Sequence, residues 1–98
     1  MRYLAEFYLP KSGSGLAELA RRAEAGARRV PEGAVRFVSA IYLPDDESCF
    51  AIYEAESIAC AEAAGTLAGL EFDYITQISV CDADSSRAVP PPQVPPGS

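Results

Sequence analysis

The chain contains no histidine. That absence removes the commonest general base near neutral pH and the commonest transition-metal ligand. Nucleophilic triads of the Ser-His-Asp kind go with it. The three cysteines, Cys49, Cys60 and Cys81, are odd in number and widely spaced, with no C-x-x-C. This spacing argues against a disulfide framework and against a zinc-ligand set, so reduced thiols are expected. No apolar run approaches the roughly eighteen residues of a membrane span. The opening Met1-Arg2-Tyr3-Leu4 runs directly into a strand pattern. It lacks the charged region, apolar stretch and small-residue site of a signal peptide. These absences lead us to expect a cytoplasmic protein with no membrane partner.

Positive charge is scarce: eight Lys and Arg stand against fourteen Asp and Glu, a net charge of −6. Nucleic acid is therefore excluded as a partner, because no basic stripe exists. Arg21, Arg22, Arg28 and Arg29 alternate with Glu18 and Glu24 along one helical segment. Glu18 to Arg22 and Glu24 to Arg28 have the spacing that supports a solvated helix face. Gly13-Ser14-Gly15 is too short for a phosphate loop and lacks the Walker lysine. A G-x-S-x-G elbow is missing as well.

What is present is an order of elements. Tyr3 to Leu9 alternates as a strand and stops at Pro10. Lys11 to Gly15 is a linker in which Ser14 can cap a helix. Leu16, Leu19, Ala20, Ala23 and Ala27 follow helical spacing, and Val30-Pro31 closes that helix. Val35 to Leu43 and Ser48 to Glu54 form a hairpin around the acidic turn Pro44-Asp45-Asp46-Glu47, which reads as a solvated loop tip and not a calcium loop. Ser57 caps a second helix carrying Ile58, Ala61, Ala64 and Ala68, which ends near Gly69. Phe72 to Cys81 is the last strand. The βαββαβ order implies a ferredoxin-like α+β sandwich, a four-stranded antiparallel sheet with two helices on one face. The domain is read as residues 1–82. Residues 83–98 form a proline-rich tail, expected to be extended or disordered.

In this topology the other face of the sheet needs a cover. Apolar weight predicts Tyr3, Ala5 and Phe7 toward the helices, with Leu4, Glu6 and Tyr8 on the open side. The same weighting turns Phe50 and Ile52 toward the helices and leaves Cys49, Ala51 and Tyr53 open. The second strand is bulky on both faces, so its parity stays ambiguous. The candidate site is thus Glu6, Tyr8, Cys49 and Tyr53, joined by Phe37, Ser39 or Gln77. A carboxylate among tyrosines in a partly apolar cleft can act as an acid or base, with Glu6 and Tyr53 the catalytic candidates. Its plainer role is to hydrogen-bond a tyrosine in a dimer interface. No cofactor is expected. The partners anticipated are a second copy of the chain and a hydrophobic small molecule. The function is read as small-molecule binding or an accessory role, the alternative being a cofactor-independent isomerase or cyclase.

The stretch from Val35 to Asp46, the stretch from Cys49 to Ala55 and the closing Ile75 to Val80 together resemble a small bacterial family labelled nickel-binding-protein-like. The resemblance covers roughly residues 2–82. It implies a ferredoxin-like fold that dimerises through its sheet, as dimeric α/β barrels do. Metal-binding members carry histidines in the first strand and both helices. Here the matching segments read Glu6-Phe7-Tyr8, Ala20-Arg21-Arg22-Ala23-Glu24 and Ala61-Glu62-Ala63-Ala64, without one. Only Glu6, Cys49 and Tyr53 match in type, so the resemblance implies no metal site here.

Overall fold

A computed structural model describes residues 1–11 and 15–81. Ser14 and the tail at 83–98, on which two of the sequence readings rest, lie outside the described residues. The elements run β1 (Arg2–Tyr8), α1 (Leu16–Arg28), β2 (Val35–Leu43), β3 (Ser48–Ala55), α2 (Ile58–Ala68) and β4 (Tyr74–Ile78). The sheet is antiparallel in the order β2-β3-β1-β4, with β1 and β3 central. The fold is ferredoxin-like α+β, as the element order implies.

Local chemistry sets the boundaries. The Ser57 hydroxyl accepts the Cys60 amide at 3.2 Å and caps α2. At the other end Gly69 takes the left-handed conformation, φ 72°, and the Leu70 amide closes on the Gly65 carbonyl at 2.9 Å. Helix α1 starts with Gly15 at its N-cap. Strand β4 is shorter than the sequence suggests, for two reasons. Phe72 leaves the strand line to bury its ring against Phe7 and Tyr53, at centroid distances of 6.0 and 6.1 Å. Beyond Ile78, β1 offers no partner, because Arg2 opposite Ile78 is its first residue.

Both helices pack on one face of the sheet, and the core there is built from small residues. Ala5, Ala51, Ala23, Ala61 and Ala64 are fully buried. The helices touch closely at Gly26, where an added Cβ would stand 2.5 Å from the Ala64 carbonyl and 2.7 Å from the Ala68 Cβ. Gly65 likewise has no room for a side chain under the Phe72 ring.

One sequence reading is corrected by the ion pairs of α1. Arg22 does not pair with Glu18, whose partner is Arg21; only the Glu24–Arg28 bridge, at 2.6 Å, follows the predicted spacing. Arg22 instead donates to the carbonyls of Ala68 and Gly69 at 3.0 and 3.1 Å, and Arg29 to that of Leu67 at 3.3 Å. Two arginines of this exposed face thus also satisfy carbonyls at the end of α2. The acidic turn is exposed, as expected of a solvated loop tip, and it is also tethered. The Glu47 carboxylate accepts the Lys11 amide at 2.9 Å, and Lys11 Nζ lies 3.4 Å from Asp45. The hairpin tip is thereby tied to the segment leaving β1.

Candidate functional site

The strand register fixes which side chains share each face. Tyr3 pairs with Tyr53, Ala5 with Ala51 and Phe7 with Cys49. Directly paired residues point the same way. Tyr53, Ala51 and Cys49 therefore face the helices and are fully buried, while Phe50 and Ile52 turn to the open side. This inverts the orientation expected for β3. The reason is space: the alanine-lined helices come so close that small residues must fill the middle of the helix face. The bulk of Phe50 and Ile52 is displaced outward.

Strand β2 settles its own ambiguity with a bulge. Phe37 pairs with Tyr53 and Ser39 with the adjacent Ile52, which leaves Val38 as an extra residue. Parity changes across it. Val35, Phe37, Ala40 and Tyr42 face the helices, whereas Arg36, Ser39, Ile41 and Leu43 face away.

The open face then reads as rows across the four strands. One end holds Arg36, Glu54, Arg2 and Ile78, the next row Ser39, Ile52, Leu4 and Thr76, and the third Ile41, Phe50, Glu6 and Tyr74. Leu43, Ser48 and Tyr8 close the far end. Glu54 bridges both arginines of the first row, at 3.5 Å from Arg2 and 3.2 Å from Arg36. Glu6 sits between Phe50 and Tyr74, with Leu4 and Tyr8 beside it along the strand. Among the described residues it forms no ion pair. Tyr8, Ile41, Leu43 and Tyr74, half of the large apolar side chains that are exposed, gather on this face.

The predicted site is accordingly divided. Glu6, Tyr8 and Ser39 do share the open face. Cys49, Tyr53 and Phe37 lie on the helix face, where the Phe37 and Tyr53 rings meet edge-on at 5.9 Å. Gln77 pairs with Tyr3 and so also points to the helix side, with its amide 3.4 Å from the Met1 sulfur. Burial pushes the Tyr53 hydroxyl up to about 12, and it has no hydrogen-bond partner among the described residues. Burial also raises the Cys49 thiol, which makes it a poor nucleophile. The Tyr53 hydroxyl therefore cannot share a substrate with Glu6 across the thickness of the sheet. Phe50, Ile41 and Tyr74 were missed as site residues. The signal that locates them is the run of small residues Ala5, Cys49 and Ala51, which marks the crowded side.

Among the described residues no group of three or more His, Cys, Asp or Glu could hold a metal ion. Nor is any helix there long and apolar enough to cross a membrane. No family model matches the chain, and no curated protein matches it. Among solved structures, the crystal structure of SCO4226 from Streptomyces coelicolor A3(2) is similar. Its TM-score is 0.65 at 16% sequence identity, covering 84% of this chain and 100% of that one. At that identity the likeness is one of fold.

Proposed function

We propose that this chain is a small-molecule-binding or accessory protein of the cytoplasm. In this reading a second copy covers the open sheet face, and a hydrophobic small molecule is held between the two sheets. The observation that carries it is the make-up of that face. Leu4, Ile41, Phe50, Ile52 and Tyr74 surround a single carboxylate, Glu6, with Tyr8 and Leu43 at one end. An apolar patch carrying one carboxylate without an ion-pair partner among the described residues, with the hydroxyls of Ser39 and Thr76 in the adjacent row, suits a ligand that is mostly hydrocarbon with a few polar groups. The resemblance to the nickel-binding-protein-like family enters here in a histidine-free form, keeping sheet-to-sheet pairing without tight nickel. Phe50 and Tyr74 replace Cys49 and Tyr53 as the aromatic and apolar lining.

Light scattering across the micromolar range tests the pairing, and a monomer mass throughout would overturn it. Saturable binding of the apolar dye 1-anilinonaphthalene-8-sulfonate, reduced in Phe50→Ser, tests the pocket. A second reading is favoured by the position of Glu6, a carboxylate among apolar side chains with no ion-pair partner among the described residues. There the protein is a cofactor-independent isomerase or cyclase in which Glu6 moves the proton. Tyr53 has no part in that chemistry, and Glu6→Gln would abolish turnover of the substrate.

A further inference from the structure

The third row of the open face has a spacing that matches one kind of peptide. Phe50 and Tyr74 flank Glu6 on the neighbouring strands, so their rings stand two strand spacings apart, about 9–10 Å. Tyr74 is 48% exposed and Phe50 half-buried. A polyproline II segment rises about 3.1 Å per residue, which puts residues three apart on one side at about 9 Å. Proline-rich segments of that form dock on aromatic side chains, and they arrive already extended, so little entropy is lost. Their backbone polar groups are unpaired, and any amide hydrogen they carry is available to a carboxylate on the surface below.

The chain carries such a segment itself. Pro92-Gln93-Val94-Pro95 has prolines three apart, and Gln93 and Val94 hold the only backbone amide hydrogens between Pro90 and Pro96. With Pro92 on Tyr74 and Pro95 on Phe50, those two amides lie over Glu6. The reach is sufficient. Cys81 is seven residues past Tyr74, at most about 25 Å away. The eleven residues from Cys81 to Pro92 span up to about 36–40 Å, which leaves slack to turn over the edge at β4. Charge agrees along the way. Beyond Ile78, opposite Arg2, the chain leaves the sheet at the end where Arg2 and Arg36 share the single carboxylate of Glu54. Its next acidic residues are Asp82 and Asp84, of opposite sign to those arginines.

We infer that the open face is a docking site for residues 90–96 of the same chain. The tail crosses from β4 toward β2, with Pro92 on Tyr74, Pro95 on Phe50 and the Gln93 and Val94 amides on Glu6. The inference rests on the reading of this face as the binding surface. It makes the tail the resident competitor that a hydrophobic molecule or a second copy displaces.

The test uses the full chain and changes only the tail, so the folded domain is untouched. Pro92→Ser with Pro95→Ser removes both ring contacts. A tail that covers the face about two-thirds of the time raises the apparent Kd of a competing ligand about threefold. The double variant should therefore bind 1-anilinonaphthalene-8-sulfonate about threefold or more tightly than the original chain. Placement is read by photo-crosslinking at micromolar concentration from p-benzoylphenylalanine put in place of Gln93. Mass spectrometry should find the link within one chain, on the segments holding Glu6, Phe50 or Tyr74. Equal dye affinity in the two chains, with binding still reduced by Phe50→Ser, overturns tail docking and leaves the binding reading intact. Links that form only between chains, or only elsewhere on the domain, also overturn it. A dye that binds neither chain saturably overturns the binding reading instead, and the crosslink then decides the tail alone.

Discussion

Replacing Tyr53 by Phe removes one oxygen and nothing else, and its effect can be worked out from the surroundings of that oxygen. The Tyr53 side chain is fully buried, and its hydroxyl has no partner among the described residues. A buried polar group without a partner costs about 1–3 kcal/mol. Phe keeps the ring contacts with Phe37 and Phe72 and leaves a gap too small to matter much. We expect Tyr53→Phe to be more stable by about 1 kcal/mol at neutral pH, a rise of about 4–8 °C in Tm for a chain of this size. The second expectation is in alkali. The folded hydroxyl titrates at about 12 against 10.0 for a free tyrosine. Below pH 10 both states keep the proton and stability is at its full value. Between about pH 10 and 12 the unfolded tyrosine ionises first and pulls the equilibrium toward unfolding, at a total cost of about 2–3 kcal/mol. The variant lacks that loss. Urea unfolding at several pH values from neutral to alkaline measures both. A variant less stable by more than about 1 kcal/mol would show that the hydroxyl is well satisfied. An unchanged alkaline slope would refute the assignment of that titration to Tyr53.

Other substitutions probe separate contacts. Gly26→Ala forces a Cβ into the Ala64 carbonyl and Ala68, and should cost about 1–3 kcal/mol by thermal unfolding. Gly15→Ala, where nothing lies within 4 Å, meets no clash but puts a poor N-cap residue in place of glycine, and should cost about 0.5–1 kcal/mol. Arg22→Met keeps the alkyl stem but loses both bonds to the end of α2; about 1 kcal/mol of destabilisation is expected, insensitive to the Glu18 carboxylate, so Glu18→Gln should leave stability nearly unchanged. Calorimetry with nickel or zinc on tag-free protein should give no stoichiometric binding below micromolar, since imidazole is absent.

The fold was legible because its signals are local. Ser57 and Gly69 mark the ends of α2 by capping chemistry, and the alternation in β1 alone gives the correct inward set. The site was less legible because its signals are not local. Whether Tyr53 or Phe50 faces the helices depends on pairing with β1, fifty residues away in sequence by the Tyr3–Tyr53 register. Apolar weight misleads there, since both faces of β3 are apolar. The parity of β2 turns on one extra residue, Val38, which no composition rule singles out. Arg22 and Arg29 look like solvated helix charges until the close crossing at Gly26 brings the end of α2 beside them.

The bulge at Val38 has a bearing on how the chain behaves in crowded solution. Strand β2 is an outer strand of nine residues with apolar side chains on both sides. A flat strand of that kind is a template on which sheets grow edge to edge without limit. The extra residue kinks the ladder at mid-length and twists the two halves apart, so a straight foreign strand can follow only one of them. The opposite edge, β4, runs for just five residues. The rims, where every added molecule would expose a fresh rim for the next, are thereby made poor templates for growth in the plane of the sheet.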